Sequence, residues 1–244
     1  WAMSTDDGQN LFEPGSTPGK NFQFLTFLCA IIKGVDEYAD LLRLSVASAG
    51  NDHRLGGNEA PPAIISIFLG DELQKIVEAL ESGKLIRANK KKQFVIGVEA
   101  LPNFPKDTTD RNRTSPFAFT GNKFEFRSLG SGDSISCTNI ILNTIIANEL
   151  CEFADRLEKA KDFTSELNAL LAETIKNHKK VIFNGNNYSD EWVKEAEKRG
   201  LPNYISTVDV LPHYLDKKNV EMFEKFKVYS KAEVESRYEI LIEN

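Results

Sequence analysis

The chain has 244 residues, 41% of them hydrophobic, with a formal net charge of -6 and a pI near 5.3. This length and apolar content fit one large domain or two small ones with a substantial core. The acidic balance argues against a nucleic-acid partner, because general nucleic-acid-binding proteins carry a clustered basic excess.

The cysteines and the apolar runs favour a cytoplasmic protein with no membrane partner. Cys29, Cys137 and Cys151 lie in apolar helical patterns, at spacings that match neither a disulfide framework nor a zinc site. The longest apolar run, residues 24–32, contains Thr26 and is too short to span a bilayer. Since the chain opens without an initiator methionine and closes inside a helical pattern, we interpret it as an internal piece of a longer protein.

Turn-rich and helical stretches alternate over the first third of the chain. Residues 1–20 are rich in glycine and proline, which predicts a loop or hairpin. Apolar residues recur at intervals of three and four over 21–48, which predicts an amphipathic helix. A second helix is expected over 63–80, entered through Pro61 and Pro62, because the fixed φ of proline suits a first helical turn.

Strand patterns follow and then give way to helices. A short strand is expected over 90–104, and strict alternation at the end of 117–127 predicts a second strand-like segment. One helical pattern then runs from 140 to 175 as the longest regular element. A shorter helix follows, with Ser189 or Asp190 as its N-cap, and the charged remainder is also helical in pattern.

The loop NDHRLGGNEAPP, residues 51–62, places an arginine and a glutamate on either side of two glycines. Glycine takes positive φ at little cost, so this loop is a candidate for a flap that closes over a site. Arg54 would then grip a carboxylate, and Glu59 would act as a base or attract a cation. A solvated loop, in which Glu59 only favours a helix N-terminus, explains the same pattern and is favoured on pattern alone.

Two further segments carry charges that suit phosphate and metal chemistry. RNRTSP, residues 111–116, presents two arginines that match phosphate oxygens, although an ordinary charged loop is the commoner explanation. In KFEFR, alternation puts Lys123, Glu125 and Arg127 on one face of a strand. A carboxylate between two cations suits a hard-metal ligand beside an anion site, but a solvated strand face explains it equally.

Weaker signals come from histidines and from possible glycosylation sites. His53, His178 and His213 share no metal-binding spacing, so each is interpreted as structural or solvent-facing. NRT at Asn112 and NYS at Asn187 match the N-glycosylation pattern. That pattern is short and arises by chance, so it carries little weight.

Taken together and in this order, STDDGQNLF, NDHRLGGNEAPPAIISIFLG and DRNRTSPFAFTGNKFEFR resemble the catalytic domain of glutamine synthetase in its type III form. The resemblance covers nearly the whole chain. It implies an α+β fold that is mostly helical with a few antiparallel strands. It also implies that residues 1–135 are part of the catalytic domain, with flap, phosphate and metal motifs, and that residues 136–244 form a helical C-terminal region.

The resemblance implies an activity, cofactors and partners. The expected reaction is ATP-dependent synthesis of glutamine from glutamate and ammonia through γ-glutamyl phosphate, with Mg²⁺ or Mn²⁺ as the metal. A dodecamer of two hexameric rings is expected for the full-length protein. The remaining metal ligands and a neighbouring N-terminal domain would lie upstream of Trp1, so this chain alone is expected to have an incomplete site and no activity.

Catalytic and nucleotide-binding roles follow from the same resemblance. Glu59 matches the flap glutamate that shields the intermediate and takes a proton from ammonium. Arg113 matches the arginine that faces the transferring phosphate, and Lys123 lies where a nucleotide-contacting cation is usual. The chain departs from type I enzymes here, because the arginine those enzymes carry a few positions beyond the RNR motif is replaced within SPFAF.

Substrate and metal roles are carried over in the same way. Arg54 matches the arginine that holds the substrate glutamate, and Arg127 matches the arginine beside the substrate carboxylate. Glu125 matches a ligand of the Mg²⁺ or Mn²⁺ ion. The spacing from Arg54 to Glu59 is one residue shorter than in type I enzymes.

Two alternative functions stay open. A γ-glutamyl ligase acting on another amine would keep the phosphate and metal residues and change only the amine pocket. A non-catalytic assembly or regulatory module has no need for Glu59, Arg113, Glu125 and Arg127 together. Comparing ammonia with bulkier amines as acceptors separates the two enzymatic functions.

Overall fold

A computed structural model describes residues 1–57, 60–82 and 114–243 of the chain. The expected α+β fold is confirmed, since helices dominate this part of the chain and a small sheet joins them. The strands are β1 (Ile67–Phe68), β2 (Phe117–Phe119) and β3 (Phe124–Phe126). The α-helices are α1 (Phe22–Glu37), α2 (Ala39–Leu44), α3 (Ala49–Arg54), α4 (Asp71–Glu81), α5 (Ile135–Glu158), α6 (Phe163–His178), α7 (Asp190–Lys198), α8 (Thr207–Val210), α9 (Lys217–Lys225) and α10 (Lys231–Glu243). None of these helices has the length and apolar character needed to cross a bilayer.

The helix predicted over 21–48 is two helices, α1 and α2. The Asn21 side chain caps α1 by accepting a hydrogen bond from the Phe24 N–H at 3.0 Å. Tyr38 separates the two helices with φ of -121° and ψ of 30°, outside the helical region. The apolar spacing continues across this break because α2 is buried along its whole length, so periodicity alone did not reveal the break.

The helix predicted over 63–80 was wrong in its first part. Only Asp71–Glu81 is helical, and the preceding apolar run contains the two residues of β1. Ile67 and Phe68 are both buried, and Gly70 with φ of 82° redirects the chain before α4. A short apolar run is buried as a central strand or as a helix, and its periodicity does not distinguish the two.

The single helix predicted over 140–175 was also wrong, because α5 ends at Glu158 and α6 begins at Phe163. Asp162 caps α6, and its Oδ1 accepts hydrogen bonds from the N–H groups of Thr164 at 3.1 Å and Ser165 at 3.2 Å. The signal for a new helix start was therefore present in the sequence. The later prediction of Ser189 as an N-cap is confirmed for α7.

The sheet has the order β1-β2-β3 and is mixed. β1 pairs in parallel with β2, and β2 pairs antiparallel with β3 through Ala118 and Glu125. The strand-like segment 117–127 is thus a hairpin, and Gly121 has φ of 96° in its turn. The strand predicted over 90–104 lies outside the described residues.

The two ranges proposed as domains share one hydrophobic core. α1 packs against both α5 and α6, and Gly34 allows a close approach. A Cβ added at Gly34 would lie 2.6 Å from Cγ2 of Ile145 on α5. The second range also borders the sheet, where Ile182 forms a parallel bridge with Ile67. The N-terminal and C-terminal ranges are therefore packed as one body at this seam.

The three cysteines are free thiols in helices, but their environments differ. Cys29 is buried in α1, and burial raises the pKa of its thiol. Cys137 and Cys151 in α5 are exposed, so the expectation of an apolar setting was wrong for these two.

Candidate functional site

The short helix α3 ends at Arg54, and its guanidinium holds the chain that follows β3. Ser48 caps α3 by accepting a hydrogen bond from the Asn51 N–H at 3.2 Å. Arg54 donates from Nη1 to the Ser128 carbonyl at 3.2 Å and to Asn51 Oδ1 at 3.0 Å. Its Nη2 donates to the Arg127 carbonyl at 3.0 Å. Arg54 is therefore fixed against Arg127 and Ser128, which directly follow β3, the strand that contains Glu125.

Asn51 reinforces this contact, although its residue type and position did not mark it as a candidate in the sequence. Its side chain is buried and donates to the carbonyls of Val46 at 2.7 Å and Ser128 at 2.8 Å. The spacing of three residues between Asn51 and Arg54 places both side chains on one face of α3. That spacing, together with the N-cap serine, was the available signal.

Arg127 and Glu125 lie together, as the alternation in KFEFR predicted. Arg127 donates from Nη2 to Glu125 Oε2 at 2.9 Å and from Nε to the same oxygen at 3.3 Å. The Glu125 side chain is 42% exposed. A partly solvated carboxylate is an oxygen ligand that suits Mg²⁺ or Mn²⁺, but one carboxylate supplies few of the roughly six ligands such ions need.

Lys123 is exposed and lies in the hairpin turn, where its carbonyl accepts a hydrogen bond from the Thr120 N–H at 2.9 Å. Within the described ranges its side chain contacts neither Glu125 nor Arg127. The structure thus brings three of the predicted site residues together, namely Arg54, Arg127 and Glu125, and leaves Lys123 at the edge of the hairpin.

Glu59 lies outside the described residues, but the base of its loop is defined. Gly56 has φ of 76°, which favours glycine, and its N–H donates to the Pro61 carbonyl at 3.0 Å. The Gly57 N–H donates to the Arg54 carbonyl at 3.0 Å. The two ends of the loop are therefore joined directly beside Arg54.

Arg113 and the NRT site at Asn112 also lie in the part of the chain that is not described, but Thr114 is placed by Asn187. The Asn187 N–H donates to Thr114 Oγ1 at 2.9 Å, and its side-chain amide donates to Ser66 Oγ at 2.9 Å. Asn187 is 1% exposed, so the NYS motif is not accessible to glycosylation in the folded chain. The loop after α6 thus supports the segment next to Arg113.

The opposite side of α3 contacts the C-terminal helical region through Asp52. One Asp52 oxygen accepts from Arg43 Nη2 at 2.6 Å and from Thr207 Oγ1 at 2.9 Å. The other accepts from the Thr207 N–H at 2.6 Å. α3 is therefore bonded on one side to the end of β3 and on the other side to the start of α8.

The histidines have structural or solvent-facing positions, as predicted. His53 is exposed, and His178 Nδ1 lies 2.8 Å from Asp36 Oδ2. His213 forms a hydrogen bond of 2.7 Å with Asp216, in a group that also contains Asp40.

That group has metal-ligating residue types, and it is the one such cluster of three found among the described residues. Lys218 Nζ already lies 3.0 Å from Asp40 Oδ2, and the Asn219 amide donates to the same oxygen at 3.1 Å. Because an ammonium group supplies the positive charge at Asp40, we interpret the cluster as an ion-pair and hydrogen-bond network.

Comparison with known proteins identifies the chain's relatives. Residues 166–244 match the glutamine synthetase C-terminal domain family. The chain is 48% identical over 258 residues to a glutamine synthetase from Butyrivibrio fibrisolvens and 47% identical over 246 residues to a type-3 glutamine synthetase from Dictyostelium discoideum. It is 41% identical over 253 residues to a glutamine synthetase from Bacteroides fragilis (strain YCH46).

These alignments cover 100% of this chain and 34% or 35% of each relative. The chain therefore spans about a third of the length of the curated relatives it matches. The resemblance to glutamine synthetase that the motifs carry is confirmed.

Proposed function

We propose that the full-length protein containing this chain is a glutamate–ammonia ligase, which makes glutamine from glutamate and ammonia with ATP. The observation that carries this proposal is the similarity of the whole chain to three proteins named glutamine synthetase. In the proposed reaction ATP phosphorylates the side-chain carboxylate of glutamate, and ammonia then displaces phosphate from the γ-glutamyl phosphate.

Arg54 and Arg127 are proposed to bind the carboxylates of the substrate glutamate. Guanidinium groups match carboxylates because their N–H groups form a planar fork. The contacts to Asn51, Ser128 and Arg127 use three of the five N–H bonds of Arg54. The other two have no partner among residues 1–57, 60–82 and 114–243, which suits a residue that receives a ligand.

Glu125, Lys123 and Arg113 are proposed to serve the phosphoryl-transfer step. Glu125 offers one carboxylate oxygen to Mg²⁺ or Mn²⁺, and further ligands would come from residues beyond the described part of the chain. When bound, the divalent ion would neutralise charge on the phosphate oxygens. Arg113 is proposed to face the transferring phosphate, and Lys123 together with Arg113 to contact ATP.

Glu59 is proposed to act in the second step. Ammonium has no lone pair for attack, so a proton must leave before the nitrogen can react. A carboxylate on the flap would attract the cation, accept that proton and shield the intermediate from water. The closure of the loop base between Gly56 and Pro61 supports a flap at this position.

The proposed setting is cytoplasmic, and the proposed assembly is a dodecamer of two hexameric rings. We also propose the division of the chain into residues 1–135, part of the catalytic domain, and residues 136–244, a helical C-terminal region. The family match over 166–244 supports the second of these ranges.

The test uses the full-length protein with glutamate, ATP, Mg²⁺ and ammonia, and follows phosphate release and glutamine separately. Glutamine formed with ammonia as the preferred acceptor would support the proposal. Phosphate released without glutamine would indicate another amine acceptor, and the absence of both products would favour an assembly or regulatory protein.

The role of Glu59 is tested by Glu59→Ala, with Glu78→Ala on the exposed face of α4 as the control. We expect the Glu59 variant to lose glutamine formation by about 100-fold or more while phosphate release falls much less. Normal glutamine formation in this variant would contradict the role.

A further inference from the structure

The position of α3 depends on contacts with two distant parts of the chain. α3 has six residues, and so short a helix has little stability of its own. Asn51 and Arg54 bond to the carbonyls at the end of β3, and Asp52 bonds to the start of α8. Contacts with both parts therefore decide where Arg54 lies.

Asp52 is fixed by three donors that come from two segments. Its carboxylate accepts hydrogen bonds from the backbone N–H and the hydroxyl of Thr207, and from the guanidinium of Arg43. The side chain of Asp52 is only 21% exposed. Hydrogen bonds to an ionised acceptor in such a site are stronger than those between neutral groups, and they hold the acceptor in one orientation.

Arg43 holds the same C-terminal segment from the other direction. Its side chain has no exposed surface, and it donates to the carbonyls of Tyr204 at 2.8 Å and Ile205 at 3.2 Å. Asp52 supplies the compensating negative charge, since it is the one carboxylate in the described part of the chain that forms a salt bridge with Arg43. A buried guanidinium with a single counter-charge strongly disfavours displacement of that carboxylate.

We propose that Asp52 is a positioning residue for the substrate site. Together with Arg43 and Thr207, it couples the C-terminal helical region to Arg54 and to the backbone of Arg127. The C-terminal region would then be part of the frame of the glutamate site and not an appended module. The kinetic consequence rests on the proposed function, whereas the structural coupling does not.

The test compares Thr207→Val with Ser206→Ala in the full-length protein. Thr207→Val removes the hydroxyl contact with Asp52 and leaves the backbone N–H and the charge of Arg43 in place. Ser206→Ala removes the N-cap of the same helix, α8, whose hydroxyl accepts from the Asp209 N–H and does not contact Asp52. Asp52→Asn serves as a second, stronger variant.

Two measurements are made on each variant. We expect Thr207→Val to raise the KM for glutamate about threefold and Asp52→Asn about tenfold, with kcat and the KM for ATP within twofold, because a misplaced Arg54 weakens glutamate binding. We also expect faster backbone hydrogen exchange in the peptide 124–130, across α3 from the substitution. Ser206→Ala should lower the urea midpoint of unfolding and change neither the KM for glutamate nor hydrogen exchange in 124–130.

An unchanged KM for glutamate, or faster exchange confined to 204–210, would overturn the proposal. So would equal effects of Thr207→Val and Ser206→Ala, since these would show only local destabilisation of α8. If the wild-type protein makes no glutamine, the proposed function fails, and exchange in 124–130 alone decides whether Asp52 couples the two regions.

Discussion

Two cations, the partly buried Lys33 and the fully buried Arg43, join the first half of the chain to the C-terminal helices, and their partners differ. Lys33 on α1 contacts two carboxylates on α5, those of Glu149 and Glu152. Its Nζ lies 2.6 Å from Glu152 Oε2. Arg43 on α2 contacts backbone carbonyls before α8 and the carboxylate of Asp52. The first seam joins two long helices, and the second joins the C-terminal region to the short helix that carries Arg54.

Because of this difference, we expect loss of one contact to affect stability alone and loss of the other to affect stability and the candidate site. At the Lys33 seam the ion pair lies between helices that hydrophobic packing already holds together, so its loss should affect stability. At the Arg43 seam the ion pair holds α3, which is too short to be stable by itself. Loss of this ion pair should therefore affect the candidate site as well as stability.

The Lys33 seam also contains a carboxyl group that titrates near neutrality. Glu149 has no exposed surface, and its Oε1 has no hydrogen-bond partner in the described part of the chain. Burial raises the pKa of Glu149 to about 7, although the Lys33 ammonium opposes this change. Glu37 and Glu152 raise it further through their charges.

The largest expected effect comes from removing each of these two cations in turn. Lys33→Met and Arg43→Met should each lower the free energy of unfolding by roughly 3 kcal/mol at pH 8, because the buried Glu149 or the partly buried Asp52 loses its cation. Only Arg43→Met should raise the KM for glutamate. The free energy of unfolding is measured by urea unfolding at a fixed protein concentration. The KM for glutamate is measured by steady-state kinetics of the full-length protein. A raised KM for glutamate in Lys33→Met would remove the distinction between the two seams.

A smaller effect is expected from the titration of Glu149. Its folded-state pKa of about 7 exceeds the ordinary value of 4.5, so the folded protein holds a proton that the unfolded chain has lost. Stability should therefore fall as the pH rises from about 4.5 to about 7, and Glu149→Gln should remove roughly 2 kcal/mol of that fall.

The control for this prediction is Glu158→Gln, because Glu158 is an exposed glutamate at the end of the same helix, α5. Its pH dependence should match that of the wild type. Unfolding midpoints in urea from pH 4 to pH 8 provide the measurement, and an identical slope in Glu149→Gln and the wild type would contradict the assignment.

The smallest effect concerns an uncharged contact beside the candidate site. Asn187→Ala should cost about 1 to 2 kcal/mol of stability, because Ser66 Oγ loses its amide donor and Thr114 Oγ1 loses the Asn187 Oδ1 acceptor. The exposed Asn203→Ala should have almost no effect. If both variants unfold at the same urea concentration, Asn187 does not support the segment next to Arg113.

Much of the candidate site was predictable because its signals are local. The hairpin followed from alternation in 117–127, and the pairing of Glu125 with Arg127 followed from the period of two. The contact of Arg54 with the end of β3 was not predictable, since its partners are backbone carbonyls more than 70 residues away in the chain.

The sequence by itself determined the motif residues, the caps and the resemblance to glutamine synthetase, because each depends on residue type and short spacing. The tertiary structure decided the break at Tyr38, the strand at Ile67 and the coupling of Asp52 to Thr207. The physical reason is that a short apolar run or a polar side chain fits several local conformations. Burial against distant segments selects one of them.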